Sequence, residues 1–201
     1  MGHGAPVGMF GGCHRAPGFI GGAIMVFTTW PWRWAKSRKV ATHSSVGFIY
    51  QDGYREIYEA REGKSWQGPI PVWKVEAWAA KEPKRRFSMY DIPGYLVSAD
   101  SACRKLARCE AMKGVWKYSM GQLPRMGLRK YLPFLPINTT PNNVVCSEAA
   151  TIILGPEVDV CKLTGKSKPD LVTPFDFERA MKLLTSKPKR APSDVSDAYG
   201  D

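Results

Sequence analysis

Histidine and acid are both scarce in this chain: three His in 201 residues, and 18 Asp and Glu against 29 Lys and Arg. It has no Cys-x-x-Cys pair, and its five cysteines (Cys13, Cys103, Cys109, Cys146, Cys161) stand at no zinc-type spacing from the histidines. No metal or other cofactor is therefore expected. The odd cysteine count argues against a complete disulfide framework and for a reducing compartment, although a bridge using Cys103 or Cys109 stays open. No transmembrane segment is expected either. The apolar stretch from Phe19 to Trp30 is too short to span a bilayer, contains Gly21-Gly22, and meets no small-x-small cleavage site before Trp30-Pro31-Trp32. It reads as a buried strand rather than a signal peptide. Myristoylation is not expected, because Pro6 stands where Ser or Thr is required. No internal repeat is visible.

What is present is an ordinary apolar fraction, 44%, in a length that suits one full hydrophobic core. The net charge of +11 attracts phosphates, anionic lipids, teichoic-type polymers or nucleic acid without choosing among them. The basic residues are dispersed and no reader motif appears, so specific nucleic-acid binding is not expected. Residues 1–18, rich in Gly and Pro, read as an irregular arm, and Ala23 to Thr28 as the first strand. Trp30, Trp32 and Trp34 alternate with Pro31 and Arg33 ahead of Lys36-Ser37-Arg38-Lys39. They form an aromatic and basic rim, suited to binding substrate as a cleft wall or to docking an assembly partner. Strands at 44–50 and 54–60 flank Gln51-Asp52-Gly53, and a further strand or extended segment runs from Ile70 to Val75. Ala99 to Lys113 and Pro174 to about Leu184 read as helices, and the stretch between four prolines (124, 133, 136, 141) as irregular. One domain is thus expected over 19–185, with a polar, mobile tail at 186–201.

The candidate chemistry starts at Asn142-Asn143-Val144-Val145-Cys146-Ser147-Glu148, followed by an apolar run closed by Gly155-Pro156. Either Asn can cap a helix there and Gly155 can end it, which puts Cys146 in or near the first turn. Unpaired N–H groups and the positive end of the dipole favour a thiolate at that place. His43, the one histidine outside the arm, opens a strand and supplies an imidazole to share the proton. Glu59, between hydrophobic neighbours on the partner strand, is the candidate for orienting that ring. A two-residue turn at Asp52-Gly53 would place Glu59 and His43 on opposite faces of the sheet. A three-residue loop pairs 50 with 54 and 45 with 59, and then the two share a face as diagonal neighbours about 7 Å apart at the backbone. A triad therefore requires an odd loop or a bulge. Taken singly, each residue also has an ordinary reading: Cys146 as a small core hydrophobe, His43 as a structural histidine, Glu59 as an exposed edge position.

Several segments together resemble the circularly permuted NlpC/P60 papain-like cysteine hydrolases of the YiiX/YaeF/YebB-like type. Gly22-Ala23-Ile24-Met25-Val26-Phe27 is similar to the family's opening strand motif, with Ala23 in place of Asp. Thr42-His43-Ser44-Ser45-Val46-Gly47 resembles its histidine strand with one extra residue, and Tyr58-Glu59-Ala60 its acidic strand. Cys146-Ser147-Glu148 matches its nucleophile motif, and Val172-Thr173-Pro174-Phe175-Asp176-Phe177 resembles its late motif. The resemblance covers roughly residues 20 to 180. It implies an α+β fold, a small antiparallel barrel-like sheet with the cysteine helix packed on it. It implies Cys146 as nucleophile, His43 as base and Glu59 as orienting acid of an amidase, peptidase or acyltransferase. The implied substrates are peptides, peptidoglycan peptides or lipids. Because relatives include phage and poxvirus virion components, a cytoplasmic or virion-associated place is implied. A virion structural or assembly protein with a retained or vestigial site is the alternative role.

Overall fold

A computed structural model describes residues 3–15, 41–61, 65–82, 84–119 and 142–186. The fold is mixed α+β. Five strands, β1 (Pro6–Arg15), β2 (His43–Tyr50), β3 (Arg55–Ala60), β4 (Trp66–Pro71) and β5 (Arg86–Asp91), form one antiparallel sheet in the order β4-β3-β2-β1-β5. Five α-helices accompany it among the described residues: α1 (Val72–Ala80), α2 (Ala99–Met112), α3 (Cys146–Leu154), α4 (Val160–Thr164) and α5 (Pro174–Ser186). A short parallel pair, β6 (Lys117–Tyr118) and β7 (Asn143–Val144), leads into α3. No helix among the described residues is long and apolar enough to cross a membrane.

Residues 6–15 depart from the expected irregular arm: they are β1, an interior strand between β2 and the edge strand β5. The glycines that suggested irregularity are there because of packing. A Cβ on Gly11 would collide with Met181 of α5, one on Gly12 with Ser45, and one on Gly47 of β2 with the Phe10 ring. Bulky neighbours fill the space that side chains would otherwise take, so a Gly-rich stretch is a core strand. Residues 72–75 also differ from the extended segment expected. Pro71 ends β4 and Val72 begins α1, where Val72 and Val75, one turn apart, are buried together. The expected strand at 23–28, the tryptophan rim at Trp30, Trp32 and Trp34, the irregular stretch at 124–141 and the tail lie outside the described residues, apart from Ser186 at the end of α5.

Strand alternation splits the core across the sheet. On one face Met9, Cys13, Val46, Phe48 and Tyr58 pack against Ala149, Ala150 and Ile153 of α3 and Phe177 and Met181 of α5. On the other, Phe10 and Ile57 pack with Val72 and Val75 of α1, backed by Ile49, Trp78, Phe87 and Met89. Helix α1 runs between β4 and β5, the two edge strands, and closes the small core of that face. Glu178 of α5 anchors the larger face. Buried at 2% exposure, its carboxylate accepts from the Ala41 N–H just before β2 (3.0 Å), from Arg86 of β5 (2.5 Å) and from the Tyr90 hydroxyl (3.2 Å).

The hairpin decides where the site residues point. Val46 faces Tyr58 and Gly47 faces Ile57, and Tyr50 N–H donates to the Tyr54 carbonyl at 2.9 Å. Residues 50 and 54 therefore close a three-residue loop, with Gly53 at φ +82° as the left-handed position such loops need. By the same register 45 stands opposite 59. His43 and Glu59 fall on one face, as the odd-length alternative requires.

Candidate active site

Helix α3 delivers the cysteine. Val145 is the last extended residue (φ −92°, ψ 161°) and Cys146 the first helical one. Neither Asn142 nor Asn143 caps the helix. The start is closed from inside by Glu148, whose carboxylate accepts from the Val145 N–H at 3.2 Å. Burial raises the Glu148 carboxyl to about 7, with Asp170 adding to the rise. Ser147 Oγ donates to the Val172 carbonyl. The next residue, Thr173, caps α5 through a reciprocal pair with Asp176 (3.1 Å in each backbone bond). The Cys-Ser-Glu and Thr-Pro-Phe-Asp segments are thus tied to one another in space.

The far end of α3 is capped by α2. Lys105 Nζ donates to the carbonyls of Ile153 (3.2 Å) and Leu154 (2.6 Å), Arg108 reaches the Ile152 carbonyl (3.3 Å), and Gly155 ends the helix at φ +65°. A cation on the last carbonyls complements the helix dipole. Replacing Lys105 with Met keeps the stem and removes those bonds. The expected cost is about 1–2 kcal/mol, read as a lower urea midpoint at unchanged m-value.

Cys146 is fully buried. It meets the start of β2: its thiol is hydrogen-bonded with the His43 ring, and the backbone N–H groups of Ser44 and Ser147 point at the sulfur. His43 Nε2 lies 2.8 Å from Glu59 Oε2, so Nδ1 is the nitrogen left for the thiol. Burial opposes charge on Cys146, yet the His43 cation and the converging hydrogen bonds outweigh it and hold the thiol below its ordinary value near 9. Burial likewise opposes the imidazolium, but the thiolate and the Glu59 carboxylate raise His43 to about 10. Glu59 is completely buried, which by itself would raise it. The hydrogen bond and charge of His43, with His14 and Arg61 adding, instead bring it down to about 2. Arg61 Nε sits against the second carboxylate oxygen as an ion pair, without hydrogen-bond alignment. The arrangement is a buried thiol and imidazole, each shifted toward the thiolate–imidazolium form and steadied by a carboxylate.

Cys13, Cys109 and Cys161 lack this assistance. Burial and neighbouring carboxylates push them upward.

The sequence reading passed over one group at the centre of the site, His14. Assigned to the arm, it is buried on β1 directly opposite His43, with ring centroids 5.1 Å apart and an edge-on angle of 76°. Its Nε2 is 3.1 Å from Ser45 Oγ and 3.6 Å from Glu59 Oε2. The signal that could have found it is alternation: Phe10, Gly12 and His14 fall on one side of the strand. Donor atoms of His14, His43 and Glu59 lie within 4.8 Å of one another, as metal ligands would. Here, however, the carboxylate is already engaged by His43 at hydrogen-bond distance and by Arg61, which fits a hydrogen-bonded relay better than a ligand set. Trp30, Trp32 and Trp34 are outside the described residues and are not placed relative to this centre.

Comparison with known family models, curated proteins and solved structures finds no match to this chain.

Proposed function

We propose that this protein is a cysteine hydrolase of the amidase or peptidase type, with Cys146 as nucleophile, His43 as general base and acid, and Glu59 as the group that orients the ring. The observation that carries this reading is the contact of a helix-start thiol with an imidazole whose other nitrogen is held at 2.8 Å by a fully buried carboxylate. Nucleophile, base and orienting acid in hydrogen-bonded series are the pattern covalent hydrolysis needs. The permuted papain-like fold suggested by the sequence motifs belongs to the same proposal. Its supports are the chain order of histidine before cysteine and a cysteine helix packed on an antiparallel sheet.

In the reaction, the Cys146 thiolate adds to a substrate carbonyl carbon, forming a C–S bond. N–H groups of the first turn of α3, which have no intrahelical partner, are the donors for the oxyanion. His43 gives its proton to the leaving nitrogen or oxygen as that bond breaks. The thioester is then attacked by water, whose proton His43 accepts, and the acid leaves as the thiolate is restored. With an alcohol or amine in place of water the same steps make an acyltransferase. Peptides, peptidoglycan peptides and lipid amides or esters all present such a carbonyl.

Trapping the acyl-enzyme tests the proposal. The protein is mixed with p-nitrophenyl acetate at pH 6 and quenched in acid within seconds. Intact and peptide mass spectrometry should show one acetyl group, on Cys146, that disappears on a further minute of incubation. Faster loss in added glycerol would favour acyl transfer. Acetyl on Cys103 or Cys161 with Cys146 unmodified overturns the assignment.

A further inference from the structure

The histidine on β1 has no part in the steps above, although it is buried at their centre. His14 is 3% exposed, packs against Phe87 with ring centroids 4.7 Å apart, and touches the one carboxylate that holds His43. A buried imidazole without a hydrogen-bonding duty would be an expensive choice for a strand interior. Its Nε2 faces two oxygens, Ser45 Oγ at 3.1 Å and Glu59 Oε2 at 3.6 Å. A bare nitrogen lone pair aimed at a carboxylate is repulsive, so the proton belongs on Nε2, from where it bonds Ser45 Oγ and faces Glu59 Oε2 as a favourable dipole. Register makes this placement a property of the fold: His14 pairs with His43, and Gly12 with Ser45, across β1 and β2.

Resting on the hydrolase reading above, we propose that His14 is a positioning residue. Its Nε2–H, held on Ser45 Oγ at 3.1 Å, sets its positive end 3.6 Å from Glu59 Oε2, so that this oxygen stays in line with His43 Nε2, which in turn keeps the other ring nitrogen on Cys146. The charged and titratable groups facing Glu59 are His43 from β2, His14 from β1 and Arg61 at the end of β3, with Cys146 beyond His43. His14 remains neutral beside them: burial holds its ring at about 3, against the pull of Glu59. It therefore directs the carboxylate without competing with His43 for the positive charge. Removing it takes a favourable N–H dipole from beside a buried carboxylate. Glu59 then takes up a proton at higher pH, and the imidazolium is released earlier on acidification.

The test is the pH profile of Cys146 alkylation by iodoacetamide, followed by peptide mass spectrometry, in wild type, His14→Leu and His14→Gln. In His14→Leu the acid limb should move up by about half to one pH unit, which is roughly a three- to tenfold slower reaction at a fixed pH on the limb. His14→Gln, which keeps an N–H donor, should recover most of the loss. A purely structural role would lower the melting temperature of both variants and leave the limb in place, and that result in folded protein overturns the proposal. Nuclear magnetic resonance of 15N-histidine-labelled wild type supplies a check that needs no variant. His14 should be neutral with its proton on Nε2 from pH 5 to 8; a proton on Nδ1 overturns the assignment, since Nε2 could then not donate. If wild-type Cys146 is not alkylated ahead of the other four thiols, the hydrolase reading falls as well. Selective wild-type alkylation with an unmoved limb in His14→Leu removes His14 alone.

Discussion

Cys146 is expected to react with iodoacetamide at pH 6 far faster than any other thiol of the chain, and to lose that advantage in His43→Ala. The size of the effect follows from ionisation. An unassisted thiol with a pKa of about 8.5 is roughly 0.3% thiolate at pH 6, whereas a fully formed ion pair, toward which His43 lowers Cys146, would be mostly thiolate. A thiolate of low pKa is intrinsically less nucleophilic, which returns about tenfold of the gain. The net loss in His43→Ala should therefore be on the order of 30-fold at pH 6, and larger still because burial then pushes the unpartnered thiol upward. The sign with pH is equally definite. Wild-type alkylation should be nearly level through neutrality, because His43 is raised to about 10 and the pair persists. His43→Ala should instead climb about tenfold per pH unit, as an ordinary thiol does. Equal rates in the two proteins at pH 6 would show that the imidazole does not ionise Cys146.

The second large effect is on turnover. Cys146→Ala should abolish hydrolysis of a generic amide or ester, since no other group in the site can form the C–S bond; losses from deleting a covalent nucleophile are about 10⁴–10⁶-fold. Stability should change by only about 1–2 kcal/mol, because one buried sulfur is removed and His43 can give up its proton to remain neutral beside Glu59. Assembly function makes the opposite demand. In a virion component with a vestigial site, Cys146→Ala would leave partner binding and infectivity intact. Charge reversal at Lys36, Arg38 and Lys39, or loss of Trp32, would do the damage instead. Measuring both sets of variants for hydrolysis and for partner binding separates the roles, and an active Cys146→Ala protein would rule out the catalytic assignment.

The local signals in the chain were good guides wherever the determining physics is local. Gly155-Pro156 ends α3 where it should, because a left-handed residue followed by proline leaves the helix no continuation. Thr173-Pro174 with Asp176 starts α5, a reciprocal cap written in four residues. Gln51-Asp52-Gly53 contains its own loop, and the loop length alone then places Glu59 on the face of His43.

Contacts between distant segments were not legible in the same way. The glycines of β1 look like an arm until the Met181 and Ser45 side chains are seen to occupy their space. Glu148 rather than an asparagine closes α3, and Lys105, from a separate helix, caps its other end. The complete burial of Cys146 also belongs to the packed structure, since sequence periodicity cannot say what covers a helix start.

By itself, then, the sequence determined the cysteine helix and the hairpin, and tied a shared face of His43 and Glu59 to an odd loop that the structure then supplied, because turn chemistry and strand alternation act over a few residues. Only the tertiary structure decided that the start of α3 meets the start of β2, that Arg61 and His14 attend the same carboxylate, and that the thiol is buried. Those relations depend on the β1–β2 register across a sequence separation of about thirty residues and on the docking of α3 and α5. Long-range packing, in which many weak contacts choose one arrangement together, is what a local pattern does not encode.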